Sequence, residues 1–210
     1  MPLFFTRKSE NANLGIWKIS ESLKELESMI SLSLPEQERY NKFQNERRKK
    51  EWLASRILLK TIFPNAPKIA YTNAGKPFLP DTGLSISISH SQKFAALLLS
   101  ETAKCGIDIE DTSRKIENIA RKFLSEKEWE QLGFQNRIEK IFLHWCGKET
   151  IFKLVDDSGV DFARQIYIAP IPQLQTEDSI LATFKNNQKI INIHLNYLFI
   201  EGHALTWALF

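Results

Sequence analysis

"GIDIED", residues 106–111, reads as a short strand in which apolar and acidic residues alternate. Side chains alternate faces along a strand, so Asp108 and Glu110 emerge on one side and Ile107 and Ile109 on the other. Two like charges held that close repel, and a cation or a shared proton between them relieves the repulsion. Two explanations stay open at this point. One is a solvated strand edge, the ordinary pattern of a half-exposed sheet. The other is a place where something positive binds; a hard divalent cation takes one or two carboxylates together with waters and substrate phosphates.

Downstream, "RIEKIFLHWCGKETIFKLV" (137–155) predicts a long amphipathic helix. Glu149 and Lys153 lie four residues apart on one of its faces. They make either an exposed ion pair or a third acidic group with a cation one turn away. Lys148 adds a positive charge as a candidate anion contact, and Trp145 and Phe152 are expected to pack the opposite side into the core. Before it, "LSEKEWEQL" starts a helix with Ser125 and Glu128 in capping-box spacing. Strands are expected after it in "RQIYIA", "SILATFK", "KIINIHLNYLFI" and "HALTWALF", with His194 and His203 in the core.

The first half has a similar plan. "NLGIWKIS" reads as a strand and "SESLKELESMISL" as a helix behind serine caps. From Pro35 to Pro64 the pattern predicts one long helical region. "NAGKPFLPDTG" is turn chemistry, and "LSISISHS" and "KFAALLLS" are adjacent strands. The expected fold class is therefore α+β, two similar subdomains related by a pseudo-twofold, 1–103 and 104–210. Other charged or polar residues open to an anion are Arg48 and Arg56, eight residues apart, with Lys76, Ser89 and His90.

Composition narrows the class of function. Hydrophobic residues are 43% and charged ones 25% of 210, too apolar for a disordered chain and long enough for a sizeable core. A net charge of +3 is too small to argue for nucleic acid, though it suits an acidic partner or a phosphorylated ligand. Two cysteines, Cys105 and Cys146, in no disulfide or zinc pattern fit a reducing compartment. No long apolar segment suggests a signal peptide or a membrane span, so a cytoplasmic protein is expected. No P-loop, G-x-G-x-x-G, H-E-x-x-H or G-x-S-x-G motif is present.

Four blocks in order, "RRKKEWLASR" (47–56), "GKPFLP…ISISHS" (75–91), "GIDIE" (106–110) and "WCGKETIFK" (145–153), resemble the Sfp-type 4′-phosphopantetheinyl transferases, over roughly residues 14–155. The resemblance implies a monomeric pseudodimer with coenzyme A bound between its halves. It implies Mg2+, with Mn2+ as a substitute, on Asp108, Glu110 and Glu149. Arg48, Arg56, Lys76, Ser89, His90 and Lys148 would contact the phosphates of coenzyme A, and Glu149 and Lys153 would act in catalysis. The activity implied is transfer of the 4′-phosphopantetheine arm to a serine of an apo acyl or peptidyl carrier protein, as in a holo-acyl-carrier-protein synthase. A non-catalytic coenzyme A or carrier-binding module and a Mg2+-dependent phosphoesterase are the alternatives. Two departures stand out: Gln37 and Tyr40 follow Pro35–Glu36 where some relatives place lysines, and Cys146 stands where serine is commoner.

Overall fold

Leu3–Lys8 (β1) is an alternating edge strand that pairs antiparallel with Ala12–Lys18 (β2). These are the first elements of a computed structural model that describes residues 3–65, 67–155, 157 and 159–210. The chain divides into two compact units, Met1–Thr102 and Ala103–Phe210.

In the first unit, α1 (Leu23–Ser28) starts at the Ser22–Glu25 capping box and α2 (Leu34–Asn41) at Ser33–Glu36. α3 (Glu46–Ile62) starts at Asn45, whose side chain accepts from the Arg48 backbone N–H. The single helix expected from Pro35 onward is therefore two. The break falls where Asn45 offers the free N–H groups of a new helix a local acceptor. β3 (Ala70–Tyr71) and β4 (Pro77–Phe78) form a small ribbon. β5 (Ser85–His90) and β6 (Phe94–Ser100) complete an antiparallel sheet of order β1-β2-β6-β5. α3 buries Leu53, Ala54, Ile57 and Leu58 in a core that includes Trp17, Ile86, Leu97 and Leu99.

The second unit opens with β7 (Cys105–Asp111), followed by α4 (Glu117–Phe123), α5 (Glu126–Gln131) and the 19-residue α6 (Arg137–Val155). α7 (Phe162–Gln165), β8 (Ile166–Ile168), β9 (Glu177–Lys185), β10 (Ile190–Ile200) and β11 (His203–Leu209) complete it. The sheet order is β7-β11-β10-β9-β8, every neighbouring pair antiparallel. The class is α+β. α6 packs on β7, β11 and β8, burying Ile141, Phe142, Ile151 and Leu154 against residues such as Phe184, Leu195 and Ala208. Among the described residues no helix is long and apolar enough to cross a membrane.

Strand alternation corrects one expectation: His203 is buried, but His194 points to solvent, because Ile193 and Leu195 take the inward positions of β10. Two glycines set how closely α6 lies on the sheet. A Cβ on Gly147 would meet Leu195 Cδ2 at 2.5 Å, and one on Gly106 would meet the Thr150 carbonyl oxygen at 2.3 Å. The first distance shows that Gly147 serves close packing, since the helix continues through it unbroken.

Backbone oxygen cannot rotate away as a side chain does, so Gly106→Ala must push α6 off β7. Overpacking of this kind costs about 1–3 kcal/mol. Chemical denaturation is expected to show a loss of about 2 kcal/mol or more, together with weaker activity at the acidic site described next.

Candidate functional site

β7 and α6 bring the acidic residues together. Asp108, opposite Thr206 in the β7–β11 ladder, is only 4% exposed. Glu110, two residues on, accepts from Trp145 Nε1 at 2.8 Å and from Arg114. Glu149 is on α6, one turn after Trp145, and lies in the wall of a groove of about 760 Å³ that Phe123, Trp145, Val160 and Phe162 also line.

The three carboxylates act on one another. Burial raises the proton affinity of Glu149 first, and the charges of Asp108 and Glu110 raise it further. Lys153 opposes them, and the pKa of Glu149 is pushed up to about 7. Glu110 is raised too, by burial and then by Asp108. This surplus of negative charge is what a divalent cation relieves.

Among the described residues no group of three or more His, Cys, Asp or Glu side chains is gathered closely enough to cage a metal ion. Lys153 holds Asp108 instead, donating to Oδ1 at 2.7 Å and to the Ile107 carbonyl at 2.9 Å. The donor set is thus all hard oxygen and electrostatically coupled, but not closed. It fits an ion that completes its shell with waters and a ligand's phosphate oxygens, the manner in which Mg2+ is usually held.

Three expectations for α6 change. Phe152 does not enter the core: it is 37% exposed and packs on Phe162, ring centroids 5.7 Å apart. Trp145 is half-buried beside it, with Phe123 at 5.0 Å and Phe162 at 5.8 Å. Lys148 is fully buried, its cation turned to acceptors of the protein itself. Its Nζ donates to Glu128 Oε2 at 2.7 Å, Phe162 O at 2.9 Å and Ile166 O at 2.6 Å, so all three of its N–H groups are engaged.

In the first unit the expected anion contacts separate. Arg48 is near the exposed start of α3 and touches His90 at the end of β5. Ser89 precedes His90 and is nearly buried, and Lys76 is half-buried in the turn joining β3 to β4. Arg56 lies deeper than Arg48. It is 4% exposed, lies 3.2 Å over the Trp52 ring, and donates to Trp52 O and the Tyr71 hydroxyl, with Glu36 at 3.5 Å. Sequence reasoning also missed the hydrogen bond from Trp145 to Glu110. Its spacing of four from Glu149 was the available signal, because it puts the indole on the carboxylate's side of the helix.

A family model described as the 4′-phosphopantetheinyl transferase superfamily matches residues 104–208. The chain is 31% identical over 199 residues to the 4′-phosphopantetheinyl transferase HetI of Nostoc sp., covering 87% of this chain and 82% of that protein. It is 34% identical over 112 residues to the 4′-phosphopantetheinyl transferase AcpT of Escherichia coli O157:H7, covering 50% and 57%. To the L-aminoadipate-semialdehyde dehydrogenase-phosphopantetheinyl transferase of Mus musculus it is 28% identical over 175 residues, covering 72% and 56%.

Two outcomes follow from this geometry. The folded chain binds the Glu149 proton more tightly than the unfolded chain, whose carboxyl titrates near 4.5. The contribution of Glu149 to stability in a chelator should therefore be fully present below that value and be lost as pH rises towards 7. Melting curves from pH 4.5 to 7.5 should show the fall, and Glu149→Gln should flatten it. Lys148→Met leaves the Glu128 charge buried without its counter-ion, a loss of about 3–5 kcal/mol by the usual cost of breaking such a pair. Urea unfolding should register that loss. An unchanged stability with a weakened coenzyme A requirement would instead make Lys148 a ligand contact.

Proposed function

Because the chain belongs to the 4′-phosphopantetheinyl transferase superfamily, we propose that it moves the 4′-phosphopantetheine arm of coenzyme A onto a serine of an apo carrier protein. The observation that carries this reading is the coupled set of Asp108, Glu110 and Glu149, whose mutual repulsion calls for a cation at the place where a diphosphate would react. A protein that only bound the coenzyme would not require it.

The proposed chemistry is one displacement at phosphorus. The serine oxygen bonds to the β-phosphorus of coenzyme A, and the bond from that phosphorus to the bridging oxygen breaks. The products are phosphopantetheinyl-serine and 3′,5′-ADP. Asp108, Glu110 and Glu149 would hold Mg2+, which when bound withdraws charge from the diphosphate. Glu149 accepts the serine proton, directly or through a water. Lys153 donates to the departing phosphate; its Nζ already stands against Asp108. Positioning and charge neutralisation are the main demands of phosphoryl transfer, so no covalent intermediate with the enzyme is needed. Arg48, Lys76, Ser89 and His90 are proposed to grip the remaining phosphates as point charges and hydrogen-bond donors. The groove beside Glu149 leaves the acceptor an approach to that carboxyl.

Incubation with coenzyme A, Mg2+ and an apo carrier protein, read by intact mass, tests the reading. The carrier is expected to gain one phosphopantetheine arm. An unmodified carrier in a stable complex would indicate a binding module, and coenzyme A cleavage without carrier a phosphoesterase. Asp108→Asn should lower transfer by about 100-fold or more, since metal stabilisation of a transition state amounts to several kcal/mol and each 1.4 is a decade. Its melting temperature should stay near that of the parent, because the amide oxygen still accepts from Lys153. Near-normal turnover in that variant would remove Asp108 from the site.

A further inference from the structure

Glu51 is a buried acid to which the chemistry above gives no task. It lies in α3 and is 4% exposed. Its carboxylate faces His90 Nδ1 at 3.2 Å, Arg47 Nε at 3.4 Å and Arg48 Nη1 at 3.6 Å. Arg48 Nη1 in turn meets His90 Nε2, which closes the set. The arrangement is layered by depth: the acid is inside, while the side chains of His90, Arg48 and Arg47 are 30%, 46% and 64% exposed.

A carboxylate behind an imidazole orients it: accepting from Nδ1, it holds the ring so that the Nε2 edge is turned away from the acid. Here that edge is turned towards Arg48. Without the acid, both side chains would have to be ordered again by each incoming anion, and the entropy lost would weaken binding. Burial raises the proton affinity of Glu51, and the charges of Arg47 and Arg48 oppose that rise.

We infer that Glu51 is a positioning residue, holding His90 and Arg48 in the orientation in which they meet a phosphate of coenzyme A. The inference rests on the nucleotide grip proposed above for those two residues.

Calorimetric titration of coenzyme A in chelator, without carrier, tests it. The expected result for Glu51→Ala is about tenfold weaker binding, the lower range for losing a group that orients a ligand contact. In the complete assay its KM for coenzyme A should rise by a similar factor with kcat unchanged. Glu51→Gln, whose amide oxygen still accepts from Nδ1, should bind within about threefold of the parent on the same basis. Adding Glu51→Ala to the double variant Arg48→Ala/His90→Ala should weaken binding no further. Additive losses, a Glu51→Gln protein as weak as Glu51→Ala, or parental affinity in Glu51→Ala would each overturn the inference and leave the nucleotide grip standing. Parental affinity in His90→Ala would instead overturn the grip, and the role of Glu51 with it.

Discussion

The closeness of α6 to β7 is the constraint on which the acidic site depends. Strand and helix meet backbone to backbone at Gly106 and the Thr150 carbonyl, where no side-chain carbon fits. That contact brings Glu149 within electrostatic reach of Asp108 and Glu110, although some forty residues separate them in the chain. Further ties fix the register. Thr150 Oγ1 bonds to Thr206, Cys146 Sγ donates to Ala204 O, Lys153 reaches the Ile107 carbonyl and Trp145 reaches Glu110. Each joins α6 to β7 or to its neighbour β11, so sliding the helix along the sheet would break all of them together.

Two lysines of α6 show how position within a helix decides what a charge does. Lys148 and Lys153 are five residues apart, and so point to different sides. Lys148 faces α5 and β8, where Glu128 and two carbonyls enclose it. Such a buried pair contributes little net stability against an apolar replacement, but leaves a large penalty when one partner is removed. Lys153 faces β7, is partly solvated, and shares its proton donors between one carboxylate and one carbonyl. Arg56 repeats the pattern of Lys148 in the first unit, with an indole face and Glu36 in place of the acid–carbonyl cage.

Much of this was legible in the residues. The uninterrupted period of 137–155 gave the limits of α6, and Ser125 with Glu128 marked the start of α5. Alternation in "GIDIED" gave the shared side of the two acids, and the motifs together pointed to the family. What was not legible depends on depth and on tertiary partners. Periodicity names the face on which Lys148 lies but not whether a carboxylate waits there, and it places Phe152 in the core when the ring packs, partly exposed, on Phe162. The break before α3 depended on one asparagine inside a run of good helix formers. Glu51 looked like one charge among many in a basic stretch, since its partner His90 comes from a strand thirty-nine residues later.

The order of strands in the second sheet has a bearing on synthesis. Among the described residues β7 is an edge strand whose sheet neighbour is β11, which comes about ninety residues later in the chain. On a ribosome, Asp108 and Glu110 emerge early and wait for a pairing partner while about ninety further residues are made. The ladder that flanks the acidic centre therefore closes only after β11 has been made. Long-range closure of this sort is slow, and until it occurs the exposed edge of β7 is a surface for chaperones to guard.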